Sequence, residues 1–210
     1  MNQVIFNHTD NQQSFITNTI GDVIGLLSIN KQAISRLEEL GVFSTNEPLS
    51  SITHRMSRFI FCPNGKIKQS INGLVNQMKN KIIMGVQIRT GGNGANSKEG
   101  VTFLRLDELP RVAKLIQQLI QPFTAVYLST DSSYVLNYMN NHTNNNIFYM
   151  KDYRRGHSAP AHNRKTVVSS LEGAVCNLGV LSFAKGLYIT SKSSYGGFAS
   201  RLSTAITKVF

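Results

Sequence analysis

Lys81–Arg89 reads KIIMGVQIR, and TGGNG follows at Thr90–Gly94. A short apolar run that ends in an arginine and meets a glycine-rich turn is the pattern of a buried parallel strand. Ligands bind at the carboxyl ends of such strands in open α/β sheets. An arginine there presents a planar, permanently charged fork, which suits a phosphate. Gly91, Gly92 and Gly94 allow a ligand to approach the backbone closely. A second arrangement of this kind comes about a hundred residues later. Gly186–Ser191 reads as a strand, and Ser193-Ser194-Tyr195-Gly196-Gly197 opens a final helix. Hydroxyls and backbone N–H groups at the positive end of a helix attract anions. Two such features on one sheet edge point to a nucleotide-diphosphate site, with Arg89, Ser193, Ser194, Tyr195 and Gly196 as its candidate residues.

Between these two points the signals alternate. Ile82–Ile88 predicts a strand. Leu104–Ile120 predicts a helix with Leu109, Val112, Leu115, Ile116 and Leu119 on one stripe, and Pro110 is tolerable in its first turns. Thr124–Ser129 predicts a strand, Ser132–Asn140 a helix started by Asp131 or Ser132, and Ile147–Met150 a short strand. A polar loop, Lys151–Lys165, leads into a helix over Thr166–Lys185 carrying Val168, Leu171, Val175, Leu178 and Phe183. Leu187–Thr190 is a strand, and Gly196–Thr207 closes with a helix. This order implies an α/β fold, a Rossmann-like parallel sheet with helices on both faces, over residues 81–210. Residues 1–80 read as a helical linking segment and remnant of a preceding domain. Val23–Ile29 is apolar, Ala33–Leu40 looks helical, and Ser51–Met56 and Ile71–Met78 predict helices around Phe59-Ile60-Phe61-Cys62-Pro63.

Composition narrows the function classes. The chain has 210 residues, 41% of them hydrophobic and 16% charged, so a sizeable core is expected. No run approaches the ~18 apolar residues of a membrane span, and no signal peptide is visible at Met1. Cys62 and Cys176 lie far apart, outside any metal-ligand pattern, and read as two buried thiols. The net charge of +11 favours anionic partners. The charge is dispersed, and no nucleic-acid-binding motif accompanies it. The glycines after Arg89 form neither a P-loop nor a dinucleotide fingerprint.

Three further residues carry two readings each. Asp131 suits a ribose or base contact equally with a helix cap. His162, with His157 in RRGHSAPAHNRK, suits a phosphate or sugar contact from a loop, or plain solvent exposure. Glu172 in SSLEGAV suits ribose hydroxyls, or an ion pair with a nearby base.

At these residues the chain resembles the plant xyloglucan-type fucosyltransferases. RFIFCPNGKIKQSINGLV, residues 58–75, is similar to that family's R-Y-L-hydrophobic-x-P followed by W-G-L-V. KIIMGVQIR is similar to its G-I-Q-I-R strand, the first motif of the wider α1,2/α1,6/O-fucosyltransferase group. SAPAHN resembles its P-S-H-E loop. SSLEGAVCNLGVLSFAKGLYITSKSSYGGFASRL resembles its A-L-A-E-M helix, L-V-T-S strand and S-T-F-G-Y-x-A turn. The likeness runs from about residue 55 to the end, with the motifs in order. Departures are Thr90-Gly91-Gly92 in place of a hydrophobic-aromatic pair, Ala161 for Ser, Asn163 for Glu, and Ile71-Asn72 where the tryptophan stands.

The resemblance implies the C-terminal, donor-binding half of a GT-B fold. It implies binding of GDP-fucose and inverting transfer to a glycan acceptor hydroxyl, with no metal and no cofactor besides the donor. Arg89 matches the strand arginine at the donor phosphates, His162 the loop histidine, Glu172 the helix glutamate, and Ser194, Tyr195 and Gly196 the final turn. It implies a Golgi protein of polysaccharide biosynthesis, held at the membrane through an anchor absent from this chain. It nominates no catalytic base. The other expectations are a non-catalytic or truncated GDP-sugar-binding relative and, ranking below it, a basic nucleic-acid-binding module.

Overall fold

The computed structural model describes residues 35, 38, 39, 41, 44, 47–91, 103–119, 123–143, 146–151, 153 and 164–210. The chain divides into two compact units, Met1–Ser57 and Arg58–Phe210. In the first, Glu47 accepts from Ser51 Oγ at 2.6 Å and pairs with both terminal nitrogens of Arg55 at 2.9 and 3.0 Å. Helix α1 spans Leu49–Ile60, so Phe59 and Ile60 lie inside a helix rather than between two.

In the second unit, α2 (Gly65–Gln77) begins at Asn64, whose Oδ1 accepts from the Ile67 amide at 3.0 Å. The sheet and its connections follow as β1 (Ile83–Ile88), a 3-10 turn (Leu106–Glu108), α3 (Leu109–Leu119), β2 (Ala125–Thr130), α4 (Ser133–His142), β3 (Ile147–Phe148), α5 (Arg164–Leu181), β4 (Gly186–Ile189), α6 (Ser194–Leu202) and β5 (Ile206–Val209). All neighbouring strands pair in parallel, in the order β3-β2-β1-β4-β5. Strands β1 to β3 build outward in one direction. The chain then returns past β1 to lay β4 and β5 on its other side. This is the expected α/β arrangement, and β1/β4 is the switch point where the two directions diverge.

Alternation along β1 separates the two faces. Met84, Val86 and Ile88 join Val126 and Leu128 under Leu109, Val112, Ala113 and Ile116 of α3 and Val135, Leu136 and Met139 of α4. The opposite face meets α5 and α6. A Cβ on Gly85 would lie 2.9 Å from both Ala184 Cβ and Leu187 Cδ1, so only glycine lets α5's end pack there. Tyr127, fully buried, donates to Asn177 Oδ1 of α5 at 2.6 Å.

The sequence reading is corrected in three places. The last helix ends at Leu202, and β5 follows where helix was expected to Thr207. The β-branched residues Ile206, Thr207 and Val209 favour the pleated backbone once a sheet edge is there to receive them. Helix α5 ends at Leu181, and the expected core residues Leu171 and Phe183 are exposed. Its inward side carries Leu178, Val180 and Leu181 together with small groups. Gly173 lies under the Tyr153 ring, Cys176 bonds the Ile67 carbonyl of α2, and Gly179 lies against Ile71. Cys62 is exposed, so one thiol is buried rather than two. Val168 and most of the loop before α5 fall outside the described side chains.

Candidate functional site

The carboxyl ends of β1, β2 and β4 meet at the switch point. Thr190, just past β4, fastens two of them. Its hydroxyl donates to the Gln87 carbonyl at 3.1 Å and accepts the Arg89 amide at 3.0 Å. Arg89 is therefore fixed one residue beyond β1, at the strand end where the sequence placed it. Its carbonyl accepts from Leu104 N–H at 3.1 Å, so the chain between them leaves and returns at this point. The guanidinium lies over the Phe103 ring, 4.6 Å from the centroid. Half-buried on an aromatic face at the strand's carboxyl end, it is the candidate anion-binding fork. Phe103 is a partner that sequence reading missed, since nothing in VTFLRL distinguishes it.

Asp131 sits at the end of β2, beside that turn. One oxygen accepts from the Thr90 amide at 3.1 Å and the Thr90 hydroxyl at 3.2 Å, and the other from the Gly91 amide at 3.0 Å. The carboxylate clasps the turn after Arg89. Gly91 adopts φ +82°, which only glycine takes without strain. The cap of α4 is Ser132, whose Oγ accepts from Val135 N–H, so Asp131 does not start that helix.

Across the switch point, Ser193 caps α6. Its buried hydroxyl accepts from the Gly196 amide at 3.1 Å. The Ser194 and Tyr195 amides, which the first turn of a helix cannot bond internally, stand at the carboxyl edge, and the Ser194 side chain is exposed. The Tyr195 side chain turns away and donates to the Ala174 carbonyl of α5 at 2.8 Å. Burial pushes its phenol far above the ordinary range, so it serves as a neutral donor tying α6 to α5. Gly196 is needed for packing. A Cβ would lie 2.7 Å from Gln87 Oε1 and 3.0 Å from Ile189 Cβ. Lys192, exposed and at φ +58°, occupies the turn between β4 and α6. It adds an exposed cation to the turn that leads into α6, and a lysine in a turn gives no sequence signal of that placement.

Glu172 lies two turns into α5 and pairs with Lys66 of α2, with Nζ 3.2 and 3.3 Å from its two oxygens. The ion-pair reading is the observed one. His157 and His162 lie outside the described residues. Arg89, Asp131, Ser193, Ser194, Tyr195 and Gly196 thus gather at one sheet edge, whereas Glu172 points to α2. Among the described residues, no three His, Cys, Asp or Glu side chains come together to hold a metal ion. No described helix is long and apolar enough to cross a membrane.

No family model matches the chain, and no curated protein does. Among solved structures, it is similar to NodZ α-1,6-fucosyltransferase co-crystallised with GDP, at 17% identity and a TM-score of 0.49, over 67% of this chain and 42% of that one. NodZ soaked with GDP-fucose matches at a TM-score of 0.47 and the same identity and coverage. POFUT1 in complex with GDP matches at 9% identity and a TM-score of 0.47, over 77% of this chain and 51% of that one. The chain spans about half the length of the solved structures it matches.

Proposed function

We propose that the chain is the donor-binding half of a fucosyltransferase of the plant xyloglucan type within a GT-B fold. It binds GDP-fucose and serves transfer of fucose to a glycan hydroxyl. The single observation that carries this is Arg89, fixed beyond β1 by its amide's bond to Thr190, at the carboxyl edge where β4 leads into α6. The ordered motifs from about residue 55 to the end support it. In the transfer, the bond from the fucose anomeric carbon to the diphosphate oxygen breaks. The acceptor oxygen bonds that carbon from the opposite face, and GDP departs with the electron pair. Arg89 and the Ser194 and Tyr195 amides supply the charge stabilisation this departure needs, without a metal. Asp131 holds the turn that aims Arg89. The base that takes the acceptor proton is not among the residues assigned here. The proposed setting is the Golgi and polysaccharide synthesis, by resemblance.

GDP tests the reading. It should raise the thermal midpoint by mass action, by the equivalent of about 2.7 kcal/mol at a hundredfold excess over Kd. GMP should raise it much less, and EDTA should change neither result. No shift at millimolar GDP refutes the donor site, and a strict Mg²⁺ or Mn²⁺ requirement refutes metal-independent binding. A second reading is a GDP-sugar-binding relative without turnover, favoured by the departures from the family's motifs at Thr90-Gly91-Gly92, Ala161 and Asn163. Release of GDP from GDP-fucose in the presence of acceptor glycans separates the two.

A further inference from the structure

Helix α4 carries an unusual outer face. Val135, Leu136 and Met139 are buried against the sheet, Tyr134, Asn137, Asn141 and His142 are exposed, and Tyr138, between them, is half-buried and packs against the edge of the core. The rings form a ladder. Tyr134 and Tyr138 stack with centroids 6.4 Å apart, and Tyr138 and His142 at 4.0 Å, nearly parallel at 8°. His142 Nδ1 donates to the Tyr138 carbonyl at 2.9 Å, which holds the imidazole against the helix. Tyr134 is 58% exposed although it is a large aromatic. The solvent face of a surface helix ordinarily carries charge. Ser133–His142 contains no Lys, Arg, Asp or Glu, in a chain with 22 basic and 11 acidic residues.

We propose that this stripe holds a neutral oligosaccharide. The faces of sugar rings carry C–H bonds that stack on aromatic rings, and their hydroxyls both donate and accept. Asn137 and Asn141 offer both functions beside the rings. Rings already stacked on one another lose little freedom on binding. The missing cations argue against a nucleic acid, whose backbone requires them. The placement suits the proposed transfer. Tyr134 lies three residues beyond Asp131, which clasps the turn after Arg89, so the ladder starts at the rim of the candidate donor crevice. From there it runs about 12 Å along α4. Its role as an acceptor track rests on the donor-site reading, whereas its affinity for sugar does not.

Chitohexaose, cellohexaose and maltohexaose, titrated without GDP and followed by calorimetry or amide chemical shifts, test the proposal. At least one should bind saturably. Tyr134→Ala should weaken binding at least about fivefold, with Tyr134→Phe within about twofold of wild type. Tyr134 is exposed, so the folded state of both variants should be unchanged, and the melting curve checks this. No binding of any of the three at ~10 mM overturns the proposal, as does binding indifferent to Tyr134→Ala. Self-association that Tyr134→Ala abolishes, or retention of polyuridylate by the stripe, overturns it in favour of another occupant. The GDP melting shift is read separately. Sugar binding without that shift keeps the stripe and removes the donor site.

Discussion

Removing the Arg89 side chain separates phosphate recognition from folding. The backbone bonds that hold residue 89, from its amide to Thr190 Oγ1 and to its carbonyl from Leu104, do not involve the side chain and survive Arg89→Ala. The stacking of the guanidinium on Phe103 at 4.6 Å is lost. For a half-buried pair that contact is worth about 0.5–1 kcal/mol. In a folded unit of this size, such a loss lowers the apo midpoint by about 1–4 °C. A charge-assisted and bidentate contact to the donor phosphates is worth about 1.5–3 kcal/mol, so GDP should bind roughly ten- to a hundredfold more weakly. Arg89→Lys should restore little, because a point charge reproduces neither the fork nor the stacking. Calorimetric titration with GDP and melting with and without it give both quantities. Arg89→Ala with wild-type GDP affinity, or a midpoint that collapses while the folded fraction still binds GDP normally, refutes the assignment.

Other substitutions test how the site is held. Asp131→Ala should cost about 1–3 kcal/mol in urea unfolding, since it strips a carboxylate from two amides and a hydroxyl, and it should also weaken GDP binding through a loosened turn; GDP affinity equal to wild type would show that the clasp does not aim Arg89. Gly196→Ala should cost about 1–3 kcal/mol because the new methyl must displace Gln87 or Ile189, whereas Gly197→Ala, with open space around it, should be near neutral. Burial raises the Cys176 thiol and the Tyr195 phenol, so both hold their protons more tightly folded than unfolded. The unfolded chain releases them first, from about pH 8.5 and about pH 10 respectively, so stability should be level to about pH 8 and fall as pH rises beyond it. Urea midpoints at pH 7, 8.5 and 10 check the sign, and Cys176→Ala should lessen the fall between the first two.

The local pattern of the chain was enough for the parallel α/β fold. Apolar runs ending in Arg89, Ser129 and Thr190 alternate with helical periods, and such an alternation has few topologies open to it. The same pattern placed Arg89 and the Ser193–Gly196 turn at strand ends, since a strand's end and a helix's start are local events. What each residue does there depended on neighbours far along the chain. Asp131 reads alike as a ribose contact or a helix cap, and only the pairing of β2 with β1 brings Thr90 and Gly91 to it. Gly196 reads as part of the anion-holding turn, but the seat of α6 on Gln87 and Ile189 is what excludes a side chain there. Glu172 found Lys66, 106 positions away, because α2 packs along α5. Strand β5 was hidden because Ala205–Val209 is too short to declare a period, and an open sheet edge settles its form. Phe103 under Arg89 and the exposed rings of α4 belong to the same class. Which face of an element meets the core, and what arrives beside it, are set by packing over distances that a sequence window does not span.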